Sequence, residues 1–127
     1  MTGHMLTIGS VVLGVSDVRR AAAFWTRALG YVPRGEIEDD WVVLVPADGR
    51  SGPRLSLGRS DTPVQGRPRV HLDLYAGDAD DQAAEVERLV SLGADRVRWE
   101  LYPPDADFIV LADPDGNRFC VIDTGRG

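Results

Sequence analysis

Apolar and polar residues along the chain form two similar series, in which one helical pattern stands among several strand-like segments. The first segment, 6–15, is rich in β-branched residues and predicts a strand. Ser16-Asp17 then marks a helix start, because either side chain can accept hydrogen bonds from first-turn amides, and Gly30 suits the left-handed residue that ends a helix. Spacings of three and four residues define the predicted buried face: Val18, Ala22, Trp25 and Leu29.

Strand-like segments fill the rest of both series. In the first series they are predicted over 31–38, 41–45 and 54–59. After a polar segment, the second series begins with a strand at 69–75 and a helix that starts near Asp78 and ends at Gly93. The predicted inner face of this helix is Ala79, Ala83, Val86 and Val90. The remaining strands are predicted over 94–100, 108–112 and 118–123.

The two series form an internal repeat. Both helices end in Leu-Gly, and the same seven-residue step separates Ser10 from Asp17 and His71 from Asp78. The predicted fold is therefore α+β, with two βαβββ modules. Because each helix covers only one face of its sheet, we expect the sheets to curve into a trough, a concave form that suits small-molecule binding. The predicted boundaries are a tag remnant or disordered start over 1–5, a first module over 6–59, a linker over 60–68 and a second module over 69–123.

Composition and charge narrow the class of partner. The net charge of −6, from 20 acidic and 14 basic residues, argues against a nucleic-acid surface, which needs a basic stripe. No apolar run approaches the roughly 20 residues of a membrane span, and no signal peptide is expected. A single cysteine cannot form an internal disulfide, so a cytoplasmic location is expected. His4 is assigned to the tag remnant and excluded as a site residue.

A tight turn is predicted between the last two strands, at 113–117. Its sequence is Asp-Pro-Asp-Gly-Asn, in which Pro114 fixes φ at the first corner and Gly116 can adopt a positive φ. Because side chains alternate along a strand, Cys120 and Ile122 share one face of the strand that follows. The environment of that face therefore determines what the cysteine can do.

These features together resemble the vicinal oxygen chelate superfamily, and within it the glyoxalase-like and bleomycin-resistance-like domains. The resemblance covers 6–123 and rests on the duplicated βαβββ unit and on five short motifs. They are Val15-Ser16-Asp17, Ala23-Phe24-Trp25, Leu29-Gly30-Tyr31, Val70-His71-Leu72-Asp73-Leu74 and Asp113-Pro114-Asp115-Gly116-Asn117. This fold carries isomerases, dioxygenases, thiol transferases and non-catalytic drug-binding proteins, so the resemblance implies the fold and leaves the activity open.

Metal-dependent members of the superfamily place ligands on the first strand of each half and on the last strand. The resemblance maps these positions onto Ser10, His71 and Cys120. Only His71 is of the usual ligand type there, because Ser10 replaces a histidine or glutamine and Cys120 replaces a glutamate. The resemblance therefore implies an incomplete metal site and no cofactor, with a divalent metal as the alternative.

The polar candidates have several possible roles. His71 is a metal ligand, a general base or a hydrogen-bonded histidine on the trough wall. Asp73 shares its strand face and is its candidate partner. Cys120 is a metal ligand, a nucleophile paired with His71, or a small buried hydrophobic residue. Ser10 has no evident base nearby and is expected to donate a hydrogen bond to a ligand.

Aromatic residues are the second group of candidates. Trp25 is expected in the core, whereas Trp41 and Trp99 lie on predicted strands, where each either stacks on a flat ligand or packs under a helix. Tyr102, beside two prolines, either forms a lip over the trough or belongs to a surface loop.

Two functions from different classes follow. The first is a protein that binds an antibiotic or a similar aromatic natural product, because metal positions are altered while aromatic residues remain. The second is a glyoxalase-like lyase, isomerase or dioxygenase, either metal-dependent or using His71 as an acid or base. The resemblance also implies a homodimer.

Overall fold

Residues 5–126 are described by the computed structural model, and regular structure in them begins at Ser10. The chain divides into two units, one ending at Asp61 and the other beginning at Thr62. The elements of the first unit are β1 (Ser10–Val15), α1 (Val18–Leu29), β2 (Tyr31–Pro33), β3 (Trp41–Pro46) and β4 (Arg54–Arg59). Most of the predicted tag remnant, residues 1–4 with His4, lies outside the described residues.

The second unit repeats this order. Its elements are β5 (Asp73–Ala76), α2 (Ala79–Leu92), β6 (Asp95–Arg96), β7 (Phe108–Ala112) and β8 (Arg118–Asp123). Each unit holds a four-stranded sheet, in the orders β1-β4-β3-β2 and β5-β8-β7-β6. In both sheets the first and last strands of the unit pair in parallel, and the other pairs are antiparallel. The predicted α+β fold with two βαβββ modules is confirmed, while the residue bounds of the modules stay a prediction.

Helix α1 is built as the sequence predicts. The Asp17 side chain accepts a hydrogen bond from the Arg20 amide at 3.1 Å, and Gly30 ends the helix at φ +68°. Trp25 is 1% exposed and lies in the core, as expected. The helix packs on β3 and β4, whose buried residues on that side are apolar. They are Val42, Leu44, Leu55 and Leu57.

Of the predicted inner face of α2, Val86 is buried as expected, but the other three positions are not. Ala79 and Ala83 are exposed and Val90 is half-buried. The buried positions are Gln82, Val86 and Leu89. Gln82 faces inward because its amide donates to two backbone carbonyls, of Asp107 at 3.1 Å and Val121 at 2.9 Å. The inner face of α2 therefore includes a polar residue, Gln82, which a search for apolar periodicity does not identify.

Two predicted strands are much shorter than expected. The strand predicted over 31–38 stops at Pro33, close before Gly35, which adopts φ +94°. The strand predicted over 94–100 is reduced to β6, because the Tyr102 hydroxyl accepts the Val110 amide at 2.8 Å and so replaces a backbone partner on β7.

The first strand of each unit starts later than predicted. β1 begins at Ser10, which pairs with Arg54, and Pro53 has no amide with which to extend the ladder. β5 begins at Asp73, with one further ladder bond in which the Cys120 amide donates to the Leu72 carbonyl at 2.9 Å. His71 therefore lies just before the strand. Among the described residues, no helix is long and apolar enough to span a bilayer.

Candidate functional site

One face of the second sheet is built by alternate residues of adjacent strands. Along β8, the residues on this face are Arg118, Cys120 and Ile122. Cys120 pairs with Asp73 on β5 and with Val110 on β7, so these three residues form one row across the sheet. Cys120 and Ile122 therefore lie on the same face of the sheet, as predicted.

The next row, toward the C-terminal end of β8, is apolar and aromatic. It consists of Tyr75, Ile122 and Phe108. A cavity of about 600 Å³ opens on this face of the sheet. Its apolar and aromatic lining includes Pro68, Trp99, Leu101 and Phe119, besides the residues of the two rows. The cavity has the size and character of small-molecule sites.

Three polar side chains form a cluster within this cavity. His71 Nε2 lies 3.0 Å from Asp73 Oδ1, which makes the predicted partnership of these residues a structural fact. The Cys120 thiol also lies beside the Asp73 carboxylate. Asp73 therefore adjoins both an imidazole and a thiol, and the ligand atoms of the three residues lie within 4.8 Å of one another.

The electrostatics of the cluster keep Cys120 protonated. Burial, as the largest cause, raises the pKa of the thiol to about 11, and both the charge of Asp73 and its hydrogen bond raise it further from the ordinary value. Cys120 is 8% exposed. Since the thiolate is the nucleophilic form, this environment favours a hydrogen-bonded neutral thiol over a reactive one at neutral pH.

The cluster fits some metal ions better than others. An imidazole, a carboxylate and a thiol are donors that suit zinc, whereas Mn(II) prefers oxygen ligands. Binding of a metal to all three would remove the thiol proton and replace the direct contact between His71 and Asp73. The structure thus adds Asp73 to the ligand positions mapped from the sequence.

The equivalent positions of the first unit carry hydroxyl groups. Ser10 Oγ lies 2.7 Å from Ser56 Oγ, and Ser56 is 2% exposed. Sequence reasoning missed Ser56, because a polar residue between Leu55 and Leu57 on a strand fits ordinary alternation, which predicts exposure to solvent. Trp41 covers Gly58, since a Cβ at that glycine would lie 3.3 Å from the indole. The prediction that Ser10 and Trp41 contact a ligand stays a prediction.

The other aromatic candidates separate into two kinds. Trp99 is half-buried and lines the cavity, as one of its two predicted roles requires. Tyr102 lies outside the cavity lining; its hydroxyl is bound to the Val110 amide, and its ring centroid is 5.3 Å from that of Phe108. Tyr102 holds its loop against β7, and the proposed lip has no support from these contacts.

Three charged residues of the lining were not identified from the sequence. They are Arg67, Asp107 and Arg118. Arg118 could have been found, because it alternates with Cys120 and Ile122 along β8. Arg67 and Asp107 lie outside regular strands, where periodicity gives no information about facing.

Comparison with known proteins places this geometry in context. A family model described as a glyoxalase-like domain matches residues 10–122. No curated protein matches the chain significantly. A glyoxalase-related enzyme from Fulvimarina pelagi is 20% identical, with 93% of this chain and 88% of that chain covered and a TM-score of 0.68.

Two further solved structures have similar folds. Lactoylglutathione lyase from Agrobacterium tumefaciens is 18% identical, with 94% of this chain and 95% of that one covered and a TM-score of 0.65. A mutant of the fosfomycin resistance protein FosX from Listeria monocytogenes, complexed with Mn(II) and 1S,2S-dihydroxypropylphosphonic acid, is 16% identical. There 94% of this chain and 93% of that one are covered, with a TM-score of 0.67. At these identities the likeness concerns the fold.

Proposed function

Because the chain belongs to the glyoxalase-like domain family, we propose that it binds an antibiotic or a similar aromatic natural product and sequesters it unchanged. The observation that carries this proposal is the cavity of about 600 Å³ on the second sheet, with Trp99 and Phe108 in its wall. Aromatic walls of this kind stack on flat ligands. Family membership alone leaves binding and catalysis equally open.

The polar cluster supports binding over catalysis. His71 Nε2 lies 3.0 Å from the Asp73 carboxylate and the Cys120 thiol lies beside it, so this carboxylate already has two neighbours. The thiol is neutral at physiological pH because its pKa is raised to about 11. A cluster in which donors and acceptor satisfy one another can orient a ligand but lacks a ready nucleophile.

Tryptophan fluorescence tests the binding proposal directly. A panel of flat aromatic natural products is titrated against the protein, and a binder is expected to quench Trp99. In Trp99→Phe the quenching should disappear, whereas in Trp41→Phe, which alters a tryptophan outside this cavity, it should persist. Emission that stays constant across the panel would contradict the proposal.

Sequestration makes a separate prediction about the fate of the ligand. Expression in a susceptible bacterium should raise the tolerated antibiotic concentration in proportion to the amount of protein. Mass spectrometry should recover the antibiotic chemically unchanged. Recovery of a stoichiometric excess of modified drug would instead identify an enzyme.

A second candidate function is a glyoxalase-like lyase, isomerase or dioxygenase, favoured by one observation. The ligand atoms of His71, Asp73 and Cys120 lie within 4.8 Å of one another, close enough to hold one metal ion. A bound zinc ion would supply Lewis acidity at the cavity wall. Without a metal, His71 would act as the acid or base.

Metal content after desalting distinguishes these versions. The protein is incubated with zinc, nickel, manganese or iron(II), and the retained metal is quantified. One ion per chain, lost in His71→Ala, supports the metalloenzyme. If no metal is retained but a substrate is turned over, unchanged turnover by His71→Ala would exclude the metal-free enzyme as well.

We further propose that the protein is a cytoplasmic homodimer. Its support is the exposed apolar start of the chain: Ile8 is 86% and Val12 is 61% exposed, and Val12 lies on β1, an edge strand of the first sheet. Exposed apolar edge strands are commonly covered by another chain. Sedimentation equilibrium should give twice the chain mass, and Val12→Lys should shift the equilibrium toward monomer.

A further inference from the structure

The charges that line the cavity of the second unit are unevenly distributed along it. On β8, Arg118 precedes Cys120 by two residues and Ile122 by four. At about 3.3 Å per residue, Arg118 is therefore about 13 Å along the strand from the row of Ile122. Asp107 adjoins that distant row, because its carbonyl accepts the Asp123 amide. The cavity thus has a basic end and an acidic end.

A second arginine of the lining comes from a segment that approaches the basic end. The parallel register of β5 and β8, continued by two residues on each strand, brings His71 level with Arg118. Arg67 precedes His71 and also lines the cavity. Its segment approaches the last turn, since a Cβ at Gly116 would lie 3.3 Å from the Val64 side chain.

Neither guanidinium is neutralised by the part of the chain that the structure describes. Arg118 is half-buried, yet within residues 5–126 neither it nor Arg67 has a side-chain hydrogen bond or ion pair. The nearest carboxylate along the register, Asp73, is already bound by His71 and Cys120. A partly buried cation without an acceptor is costly unless a ligand supplies one.

We propose that the ligand carries an anionic group, a carboxylate or a phosphoryl or sulfonyl group, which Arg118 and Arg67 bind at the basic end of the cavity. The proposal rests on the proposed binding function and specifies the chemical class of its ligand. The aromatic part of the ligand lies against Trp99 and Phe108, and the anionic group lies toward the 113–117 turn. Guanidinium groups suit such anions because they can donate two parallel hydrogen bonds.

Two fluorescent probes with the same aromatic framework test this assignment. Anilinonaphthalene sulfonate carries the anion, and phenylnaphthylamine is the same framework without it. The wild-type protein should bind the sulfonate about tenfold more tightly, as expected for one charge-assisted hydrogen-bonded contact. Energy transfer from tryptophan, lost in Trp99→Phe, places each probe in this cavity.

Variants then assign the preference to individual residues. Arg118→Gln should remove most of the roughly tenfold preference while leaving the affinity for phenylnaphthylamine unchanged, which also shows that the cavity is intact. Arg67→Gln should give a smaller loss, about twofold to threefold, because Arg67 is exposed and solvent screens it. Arg69→Gln is the matched control, since Arg69 belongs to the same segment but does not line the cavity.

The outcomes separate this inference from the function on which it rests. If both probes bind equally and Arg118→Gln changes neither affinity, the anion site is excluded and aromatic binding stands. If neither probe binds the wild-type protein, both proposals are overturned. A sulfonate preference that Arg69→Gln removes as fully as Arg118→Gln would also overturn the assignment, because the effect would then be a general one of net charge.

Discussion

The two units of the chain use the same backbone plan for different side-chain chemistry. Ser10 stands seven residues before the helix cap Asp17, and His71 stands seven residues before the helix cap Asp78. The parallel register pairs Val12 with Ser56 in one unit, as it pairs Asp73 with Cys120 in the other. Equivalent positions thus hold two serines and a valine in the first unit, and an imidazole, a carboxylate and a thiol in the second.

The difference shows how a duplicated fold can concentrate chemistry in one copy. In the first unit the Ser10 and Ser56 hydroxyls bond each other, and Ser10 also donates to the Val11 carbonyl at 3.3 Å. These groups are satisfied without any ligand. In the second unit the equivalent positions line a cavity and carry three ionisable groups. The fold sets the positions, and the side chains decide whether a position can do chemistry.

The helices differ in a similar way. Position 21 of α1 and position 82 of α2 both lie four residues after their caps, but the first is a fully buried alanine and the second a buried glutamine. Gln82 donates to the carbonyls of Asp107 and Val121 and so ties α2 to the cavity-bearing sheet through hydrogen bonds. Ala21 contributes close apolar packing alone.

Removing the two hydrogen bonds of the Gln82 amide should have the largest effect on the free energy of unfolding. Gln82→Ala leaves two carbonyls without their donor and opens a cavity, so the free energy of unfolding is expected to fall by about 3 kcal/mol. Urea denaturation followed by circular dichroism measures it. Ala83→Gln, at an exposed position of the same helix, should change it by less than about 0.5 kcal/mol. Equal effects of the two substitutions would mean that the amide contacts do not stabilise the fold.

The helix caps should differ by a smaller amount. The Asp78 carboxylate accepts a hydrogen bond from the Asp81 amide, and the Asp81 carboxylate accepts one from the Asp78 amide. The Asp17 carboxylate, in contrast, accepts a single amide, that of Arg20. Asp78→Ala should therefore cost about 1.5 kcal/mol and Asp17→Ala about 1 kcal/mol. Paired denaturation curves give the order, and a larger loss for Asp17→Ala would refute the comparison.

The serine pair of the first unit should matter less. In Ser56→Ala the Ser10 hydroxyl keeps the Val11 carbonyl as acceptor, so stability should fall by no more than about 1 kcal/mol. Binding of phenylnaphthylamine should be unchanged, because the cavity that we assign to the ligand belongs to the second unit. A loss of probe binding without unfolding would show that both units contribute to the site.

Asp73→Asn is expected to change the free energy of unfolding at neutral pH the least. Its measurable effect is on the pKa of the Cys120 thiol. Removing the charge of Asp73 should lower the pKa of Cys120 from about 11, while burial, the larger cause, keeps it above the ordinary value. The ultraviolet absorbance of the thiolate follows the titration. An unchanged pKa in this variant would mean that Asp73 does not act on the thiol.

The same raised pKa fixes the sign of the pH dependence of stability. A thiol kept neutral in the folded protein contributes stability that is fully present below the pKa of the unfolded thiol. This contribution is lost as the pH rises through about 11. Cys120→Ala should flatten that alkaline fall in the free energy of unfolding, and a slope that persists unchanged would assign it to other groups.

Local signals explain which parts of the fold were predictable. Asp17, Gly30 and the 113–117 turn act through their own neighbours, and in the structure Asp113 accepts the Asp115 and Asn117 amides at 3.0 and 2.8 Å. Alternation also predicted that Asp73 would share a face with His71. These features need no knowledge of the rest of the chain.

Distant contacts explain the parts that were missed. The strand predicted over 94–100 was cut short by the hydroxyl of Tyr102, and Ser56 is buried against a serine 46 residues away. The inner face of α2 was set by the carbonyls of Asp107 and Val121, which are distant in the sequence. Arg67 was missed because it lies outside the regular strands, and the alternation that places Arg118 on the cavity face does not show that it has no ion pair within residues 5–126. A sequence shows a charged residue but does not show that its neighbours leave it unpaired.

The neutral thiol also bears on oxidative damage. Peroxide oxidises the thiolate and not the thiol, so Cys120, 8% exposed and with a pKa of about 11, should resist conversion to the sulfenic acid. An oxidised sulfur would add oxygen atoms beside Asp73, in the middle row of the cavity wall. Its protonation therefore preserves the shape of the binding surface during oxidative stress.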